Sequence, residues 1–555
     1  MTNLKDYCKE NPVKITFLGG LGEIGKNMTV FEDRDSAFIL DAGFKFPEAE
    51  MYGVEQVIPD MGYIEIIKDK LKGLVLTHAH LDHIGAIKFV FEKIKLPLFG
   101  TKLTLGLAST VIPGRYKPYE EYEIKPGERF NIGTFQLEGV YVNHSIPDGI
   151  GLIIRRKGCG TIFHTGDFKI DATPIDGRAI DLQRIGMLGR EGVLLLLSDS
   201  TNATRDGLTG SERIVGDNLE RLFRKTKGRI IITTFSTNIH RIQQIFDISW
   251  KLKKKVHVDG KSFVNIISVA KKLGYLNIPD GLTVDINELP LVPDENLVIL
   301  TTGSQGEPLS GLTRLSSSTH QRLRILPGDT VIISAHPIPG NEEFVNRTVN
   351  NLFSLGADVI YREEEGIHVS GHASGDELKI MLQLTKPKFF VPVHGETRHL
   401  YAHKKIALDV GVEDNNIFIL ENGDSLIVYD DRVRRGKKEI SGELFIDGLG
   451  FEKEESEVLK DRRFLAKEGI VAVALIVKKG RLKDIKFASR GFFAEEELKP
   501  ILQSARDRIL TIFYENHNYS RDILERDING ALSSLFYKKT RRRPMILTLI
   551  FEEEQ

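Results

Sequence analysis

The chain has 555 residues, of which 41% are hydrophobic and 28% are charged, a globular composition with room for about three domains. Its 76 Lys and Arg residues balance 77 Asp and Glu residues, so the net charge of −1 excludes a uniformly basic surface and any polyanion site must be local. The two cysteines, Cys8 and Cys159, form no C-x-x-C pair, which predicts neither a disulfide framework nor a thiolate zinc site and favours the cytoplasm.

A glycine-rich turn with the spacing G-x-G-x-x-G, residues 20–25, follows the first predicted strand. A dinucleotide-binding fingerprint requires a helix directly after such a turn. Here the apolar residues 28–31 and 37–40 flank a polar turn, which predicts a hairpin instead. The hairpin ends at Asp41, whose carboxylate we expect either to cap the turn or to orient a metal-binding histidine.

A histidine-rich turn follows the predicted buried strand of residues 74–76 and precedes an apolar pattern of helical period. On extended backbone, His78 and His80 point the same way. Asp82 and His83 come after the chain has turned and can face a second centre. Imidazole and carboxylate donors suit borderline divalent cations, above all zinc or manganese. The spacing H-x-H-x-D-H at a strand exit therefore predicts a metal site rather than a polar helix entry.

Further strand ends carry side chains that a two-metal site still needs. These side chains are His144, Asp167, Asp199 and His394. Taken singly, each is more often structural than functional. Together they supply further imidazoles and a carboxylate able to bridge two cations, so we expect them to converge on the histidine-rich turn.

From about residue 213 to residue 377, apolar strands alternate with helices, which predicts an inserted α/β domain with a parallel sheet. Its strands end in small hydroxyl or glycine residues, where ligands bind in such sheets. Ser374 and Glu377 have capping-box spacing before a helical pattern. The preceding Gly-, Ser- and His-rich loop is either an anion site at a helix N-terminus or an ordinary capped loop.

The charged residues from about 451 predict a solvated linker, followed by a small α/β unit with strands near 470–477 and 544–550. A basic run, residues 538–543, precedes the last of these strands. A solvated face and nucleic-acid contact explain this run equally well.

In their order along the chain, the motif of residues 78–83, His144 and Asp167 resemble the metallo-β-lactamase superfamily. The insertion, with Asp199, His372 and His394 as additional motifs, resembles the β-CASP nucleases of that superfamily. The segments that are further similar to the bacterial ribonuclease J family are 19–27, 164–168, 198–202, 302–308 and 541–547. The chain departs from that family at Leu81, at 373–374 and at Thr237.

The resemblance implies an α/β fold: a four-layer αββα metallo-β-lactamase core, an inserted β-CASP α/β domain and a small C-terminal α/β domain. The expected divisions are 1–212 for the first part of the core and 213–377 for the β-CASP domain. Residues 378–450 are expected to form the second part of the core. Residues 451–555 are expected to form the linker and a C-terminal oligomerisation domain.

The resemblance further implies a metal-dependent ribonuclease with endonuclease and 5′-to-3′ exonuclease activity on single-stranded RNA. It implies a preference for 5′-monophosphate ends and roles in rRNA processing and mRNA decay. We expect a homodimer or homotetramer, RNA-decay protein partners and no membrane association. The alternatives are a small-molecule metallo-hydrolase of lactonase or thioesterase type, and an RNA-binding scaffold with a dead site. The long insertion and the Gly-, Ser- and His-rich loop argue against the first alternative, and the presence of all seven candidate metal ligands argues against the second.

Two divalent cations are expected, zinc first and manganese second. The hypothesis assigns one cation to His78, His80 and His144, and the other to Asp82, His83 and His394, with Asp167 bridging. The expected catalytic residues are Asp82, His372 as proton donor and Asp199 as its neighbour in an orienting role. The substrate-binding positions carried over from the family are Thr237, Asn238, His368, Val369, Ser370, Gly371 and His372. Some family members hold a structural calcium, whose ligands would match Tyr52, Val54 and Asp447.

Overall fold

The computed structural model describes residues 11–48, 51–305, 310–337, 341–448, 450–453, 456–493, 495–515 and 520–552. These residues form two compact units, a larger one of residues 11–48 and 55–446 and a smaller one of residues 51–54 and 447–552. Among the described helices, none has the length and apolarity to cross a lipid bilayer.

The first part of the larger unit is rich in strands. The strands are β1 (Val13–Gly19), β2 (Leu21–Gly22), β3 (Met28–Glu32), β4 (Ala37–Leu40), β5 (Gln56–Pro59), β6 (Leu71–Val75), β7 (Leu98–Gly100), β8 (Glu121–Glu123), β9 (Arg129–Ile132), β10 (Phe135–Tyr141), β11 (Ile150–Arg156), β12 (Ile162–His164) and β13 (Leu195–Asp199). The helices are α1 (Gly62–Ile67), α2 (Leu81–Ile84), α3 (Ile87–Lys93), α4 (Lys102–Val111) and α5 (Leu182–Glu191).

The remaining segments continue this alternation of strands and helices. The next strands are β14 (Ile230–Thr233), β15 (Lys255–Val258), β16 (Leu297–Thr301), β17 (Thr330–Ile333), β18 (Asp358–Ile360), β19 (Phe389–Val393), β20 (Gly395–Glu396), β21 (Ser425–Tyr429), β22 (Arg432–Arg435) and β23 (Glu443–Asp447). The helices among them are α6 (Glu212–Lys225), α7 (Ile239–Lys251), α8 (Lys261–Leu273), α9 (Gly311–Ser316), α10 (Glu342–Ser354), α11 (Gly375–Thr385) and α12 (Thr397–Asp409). Short 3-10 helices span Lys68–Lys70, Gly114–Tyr116, Leu289–Leu291, Asp294–Asn296, Glu363–Glu365 and Asp414–Asn416.

Two sheets pack face to face in the larger unit. Their strand orders are β22-β21-β1-β3-β4-β6-β7-β8 and β19-β13-β12-β11-β10-β9. Apolar residues of both sheets share one buried cluster, including Ile15, Phe38, Val75, Leu152, Leu195 and Val391. The outer faces are covered by helices: α1 and α3 pack on the first sheet, and α5, α11 and α12 on the second. The predicted four-layer αββα core is therefore confirmed.

The glycine-rich turn leads into a hairpin and not into a helix. Strands β3 and β4 are antiparallel, with Thr29 opposite Leu40. A Cβ on Gly19 would lie 1.8 Å from the carbonyl oxygen of Lys26, so the turn folds closely on itself and requires glycine there. The prediction of a hairpin and the rejection of a dinucleotide fingerprint are confirmed.

The inserted segment forms the predicted parallel sheet, with the strand order β15-β16-β14-β17-β18. Helices cover both faces, because Ile230 and Ile232 belong to one buried cluster with α6 and α7, whereas Ile231 and Val331 belong to another with α10. Sheets covered on both faces are built from continuous apolar strands, which is why the sequence pattern was informative.

The smaller unit is built on a three-stranded sheet. Its elements are β24 (Gly450–Lys453), α13 (Glu457–Glu468), β25 (Ile470–Lys478), β26 (Arg481–Arg490), α14 (Glu495–Glu515), α15 (Arg521–Thr540) and β27 (Met545–Glu552). The sheet order is β26-β25-β27, and α14 and α15 pack on one face. The opposite face of β27 exposes Leu547, Leu549 and Phe551.

Two predictions are wrong. The charged stretch near 451–463 is not a linker, because Ser456 caps α13 by accepting the amide of Leu459, and the Leu459 side chain is buried. An amphipathic helix with one buried leucine carries so many charges that it resembles a solvated segment. Cys159 is disulfide-bonded, contrary to the expectation from cysteine spacing, and Cys8 lies outside the described residues.

Candidate metal centre

The predicted ligands lie where strands end at one edge of the core. The histidine-rich turn follows β6, whereas Asp167, Asp199 and His394 follow or end β12, β13 and β19, which are parallel neighbours. Carboxyl ends of parallel strands meet at the same edge, so residues far apart in sequence converge there. His394 has a left-handed backbone (φ 52°), which turns the chain sharply at the end of β19.

The first donor group consists of three histidines. The Nδ1 atom of His80 lies 3.1 Å from Nε2 of His78 and 3.0 Å from Nε2 of His144. All three nitrogens therefore lie at ligand spacing around one point. Nε2 of His80 faces outward and lies 3.4 Å from the Ser145 hydroxyl.

The second donor group combines Asp82, His83, Asp167 and His394. Nε2 of His83 lies 3.2 Å from Oδ2 of Asp167, and Nε2 of His394 lies 3.3 Å from Oδ2 of Asp82. The same Oδ2 of Asp167 is 3.8 Å from Nε2 of His78 in the first group. Asp167 thus lies between the two groups, as a bridging carboxylate must.

Hydrogen bonds on the outer side of the rings fix which nitrogens face inward. Nδ1 of His144 lies 2.7 Å from the carbonyl oxygen of Gly371. A carbonyl oxygen only accepts, so Nδ1 carries the proton and the lone pair of Nε2 points into the group. Nδ1 of His83 donates in the same way to Oδ2 of Asp41, at 2.8 Å.

Asp41 organises this outer layer. Its carboxylate accepts the backbone amide of Thr77 at 2.8 Å and the Thr77 hydroxyl at 2.9 Å. Because the Thr77 hydroxyl proton is used, its oxygen accepts from Nδ1 of His78, 3.1 Å away. Asp41 therefore fulfils both expected roles, since it caps the turn and orients His83 directly and His78 through Thr77.

The donor set fits divalent cations. Oδ2 of Asp167 and Nε2 of His394 are buried and have no hydrogen-bond partner within the described part of the chain. A buried polar atom without a partner costs about 1–3 kcal/mol. A cation would satisfy both atoms at once, and the mixed nitrogen and oxygen donors are those that zinc and manganese accept.

Charge is distributed unevenly over the centre. Burial lowers the pKa of His78 and His144, and that of His80 to about 4, so the first group stays neutral. Burial also opposes the charged forms of His83 and His394, but the Asp167 carboxylate raises the pKa of both well above the ordinary value. A cation would supply that positive charge instead, so metal binding is coupled to proton release.

His372 and Asp199 form a pair beside the second group. Nδ1 of His372 donates to Oδ2 of Asp199 at 2.8 Å, and the Thr201 amide and hydroxyl donate to the other carboxylate oxygen at 3.0 and 2.7 Å. Burial lowers the pKa of His372, but the Asp199 charge and hydrogen bond outweigh it and the net pKa is raised. A protonated, oriented imidazole can donate a proton.

The substrate-binding positions run from the inserted sheet to the centre. Asn238, beside buried Thr237, accepts the Arg241 amide at 3.1 Å, and the Arg241 guanidinium donates to Nδ1 of His368 at 2.8 Å. Val369 is half-buried near Gly210, Ser370 accepts from Asn202 at 2.8 Å, and Gly371 and His372 reach the metal centre as described. Their role in binding substrate stays a prediction.

The three candidate calcium positions lie in the smaller unit. The Arg462 guanidinium donates to the Asp447 carboxylate at 2.5 Å and to the Tyr52 carbonyl oxygen at 3.3 Å. The Val54 amide donates to the carbonyl oxygen of Met51 at 3.1 Å, closing a turn. With a guanidinium held by the expected ligands, this arrangement does not fit calcium.

Sequence reasoning missed Asn27. Its side-chain amide donates to the carbonyl oxygen of Asp82 at 3.1 Å and lies 3.1 Å from Nε2 of His83. It also missed His164, whose Nδ1 accepts the Gly166 amide at 3.0 Å and whose pKa burial lowers to about 4. Asn27 ends the glycine-rich turn, where no local pattern distinguishes it from an ordinary turn residue.

Four family models match the chain along most of its length. They are the metallo-beta-lactamase superfamily at residues 21–199, the ribonuclease J beta-CASP domain at 227–352, the Zn-dependent metallo-hydrolase RNA specificity domain at 357–419 and the ribonuclease J C-terminal domain at 457–553. Their order agrees with a core interrupted by an insertion and followed by a separate unit.

Individual relatives are similar over nearly the whole chain. Ribonuclease J of Thermus thermophilus is 41% identical over 98% of this chain and 96% of its own length. Ribonuclease J of Helicobacter pylori is 39% identical over 96% of this chain and 79% of its own length. Ribonuclease J2 of Bacillus subtilis is 38% identical over 99% of this chain and 100% of its own length.

A solved structure shares the fold. A protein of unknown function from Enterococcus faecalis superposes with a TM-score of 0.52, covering 75% of this chain and 100% of its own. The sequence identity is 15%, so the likeness concerns the fold alone.

Proposed function

Because the chain belongs to the ribonuclease J family and is therefore a metal-dependent ribonuclease, we propose that it degrades single-stranded RNA in two modes. One mode removes nucleotides from the 5′ end, with preference for a 5′-monophosphate, and the other cuts internally. Membership of this family argues against both alternatives, a small-molecule hydrolase of lactonase or thioesterase type and an RNA-binding scaffold with a dead site.

One observation carries the assignment of the catalytic centre: Asp167 of the second donor group lies 3.8 Å from His78 of the first, and outer hydrogen bonds fix the inward nitrogens of His144 and His83. In this proposal His78, His80 and His144 hold one cation, and Asp82, His83 and His394 hold a second, with zinc ahead of manganese. When bound, two such cations would supply hydroxide at neutral pH and would neutralise charge on the phosphodiester.

The protein's own groups supply proton transfer. Asp199 keeps the His372 ring oriented and protonated, so His372 donates a proton to the oxygen that leaves phosphorus. His372 is held at the end of the 368–372 segment, whose Gly371 carbonyl also fixes His144. RNA bound along residues 368–372 is therefore held in a fixed position relative to the proposed metal ligands.

The 5′-phosphate site is proposed at the carboxyl end of β14. Nδ2 of Asn238 and Nε of Arg241 are buried donors without a hydrogen-bond partner among the residues that the structure describes. A phosphate between the Thr237–Asn238 pair and the 368–371 segment would satisfy such donors. This supports recognition of a monophosphorylated 5′ end by the inserted domain.

Further proposals concern the assembly and its setting. We assign the protein to rRNA processing and mRNA decay in the cytoplasm, together with RNA-decay proteins. We also assign self-association, as a dimer or tetramer, to the exposed face of β27, where Leu547, Leu549 and Phe551 lie on one side of an edge strand.

The metal assignment is tested with Asp82→Ala plus His83→Ala. We expect cleavage to be abolished while the circular dichroism spectrum stays native, because one donor group loses two ligands. The matched control is Asp431→Ala plus Arg432→Ala, a neighbouring pair of exposed residues. Retained cleavage in the first variant would refute the assignment.

The substrate assignment is tested with metal-loaded protein and end-labelled oligomers. RNA with a 5′-monophosphate should be degraded faster from its 5′ end than RNA with a 5′-triphosphate, and DNA of the same sequence should persist. Circular RNA should be cut only internally. Equal rates on both 5′ ends would remove the proposed phosphate site.

A further inference from the structure

We infer that the Arg462 side chain supplies, from within the chain, the positive charge that calcium supplies in some members of the family. The smaller unit then needs no calcium. This inference is independent of the catalytic proposal, because all the residues involved lie in the smaller unit.

The guanidinium bridges two pieces of chain that are distant in sequence. Nη2 of Arg462 contacts Oδ2 of Asp447 at 2.5 Å, and Nη1 lies 3.3 Å from the carbonyl oxygen of Tyr52. The planar fork of arginine can reach two oxygens at once, which the point charge of lysine does less well. One side chain of α13 thus joins the 51–54 turn to the end of β23.

The turn is shaped to admit this side chain. Gly53 has φ +80°, a conformation that favours glycine. A Cβ built on Gly53 would lie 2.6 Å from Nη1 of Arg462, so the guanidinium packs directly against the glycine backbone. The fit of the turn around the guanidinium is a second observation, separate from the ion pair.

The oxygens present are poorly suited to calcium while Arg462 is in place. Calcium takes six to eight oxygen ligands, several of them charged. Asp447 is the carboxylate among the three carried-over positions, and its charge is already balanced by the guanidinium. A divalent cation would also be repelled by an arginine at hydrogen-bond distance from the same oxygens.

The first experiment measures calcium bound to the native chain. Protein saturated at its catalytic centre is equilibrated with millimolar calcium, gel-filtered and analysed for calcium per chain, in parallel with Asp447→Ala. We expect the two contents to be equal. One calcium more per chain in the native protein than in Asp447→Ala would overturn the inference.

The second experiment removes the internal cation. In Arg462→Gln, hydrogen exchange at the Val54 amide, which donates to Met51, should accelerate several-fold, and added calcium should slow it again. The control is Arg463→Gln, the next residue of α13, which has no contact with Tyr52 or Asp447 among the described residues. Unchanged exchange in Arg462→Gln, or calcium-dependent exchange in the native protein, would refute the inference.

Discussion

At the scale of single residues, the candidate metal centre depends on groups that are not themselves among the proposed ligands. The Asp41 carboxylate accepts hydrogen bonds from Thr77 and His83, and the Gly371 carbonyl oxygen accepts one from His144. These contacts decide which ring nitrogen faces inward. The ligands are therefore in a binding conformation because of acceptors placed behind them.

Asp41→Asn tests this dependence. Asparagine tolerates the left-handed backbone at this position (φ 60°), so the fold should persist. An asparagine side chain has one acceptor oxygen, however, so it cannot accept the Thr77 amide on one atom and the Thr77 hydroxyl and His83 on the other, as the carboxylate does. We expect metal affinity to fall about 10–100-fold. Competition with a chromogenic chelator measures it.

The control is Asp430→Asn, another aspartate with a left-handed backbone (φ 54°) that belongs to neither donor group. It should leave metal affinity unchanged. Equal affinities for the native chain and Asp41→Asn would mean that the outer carboxylate is dispensable.

The donor types could be predicted from sequence, but their neighbours could not. A histidine or aspartate directly after an apolar strand can be recognised in the sequence, because a metal-binding type of side chain is unusual at that position. Asn27 reveals nothing alone, since its contacts with Asp82 and His83 join segments 55 and 56 residues apart. Such contacts are set by the packing of the hairpin beside the turn, which local spacing does not encode.

At the scale of elements, helix α11 shows how one side chain can join three segments. Ser374 and Glu377 form the predicted capping box. The buried Glu377 carboxylate also accepts the amides of Ile170 and Thr209, each at 2.7 Å. The N-terminus of α11 is thus bound to the chain after β12 and to the loop before α6.

Glu377→Ala should therefore destabilise the protein by about 3 kcal/mol, since the helix loses its cap and two further buried amides lose a charged acceptor. Urea unfolding measures the loss. Asp376→Ala is the matched control, because its pair with Lys379 is exposed to solvent and contributes little to stability. Similar losses for the two variants would contradict this account.

Strand β27 provides a second prediction for a single element. Thr548 and Ile550 face the buried side of the sheet, while Leu549 faces outward. Leu549→Glu should dissociate the proposed oligomer, as seen by light scattering, because a charge would be buried at the interface. Leu291→Glu, at a highly exposed leucine of the larger unit, should leave the molecular mass unchanged. An intact oligomer in Leu549→Glu would exclude this face.

Elements with a strong local period were predictable, and α13 was not. Buried parallel strands in the insertion are apolar throughout, and the β3–β4 hairpin has a clear polar turn. In α13 the single buried leucine, Leu459, gives too weak a period among charged neighbours. The domain bounds stay predictions for a related reason. The amino-acid composition does not change sharply where the core is interrupted by the insertion and where it resumes.

At the scale of the whole molecule, the net charge near zero includes buried carboxylates whose ionised form stabilises the fold. Glu212 illustrates them: Arg241 donates to both of its oxygens, at 2.7 and 2.8 Å. Burial would raise the pKa of Glu212, but the Arg241 charge lowers it below the ordinary 4.5. Burial is likewise outweighed at three further carboxylates: hydrogen bonds from Thr134 and the backbone lower the pKa of Asp33, Arg184 and Arg155 lower that of Glu138, and Lys26 and Lys45 lower that of Glu443.

These lowered pKa values predict sensitivity to acid. Stability from such groups is fully present above their unfolded pKa and is lost as the pH falls through the folded value. The free energy of unfolding should therefore decline below about pH 4.5. Glu212→Gln should be less stable at pH 7, by about 3 kcal/mol, but should lose less on acidification. Parallel pH curves from urea unfolding of both proteins would contradict this.

The discontinuous core also has a consequence for synthesis on the ribosome. Chains emerge from the N-terminus at about 5–20 residues per second. Strand β19, which closes one edge of the second sheet, and His394 become available only after the whole insertion has been made. A nascent chain therefore carries six of the seven proposed ligands for many seconds without a complete centre. The centre of each copy can therefore be completed only after translation has passed codon 394.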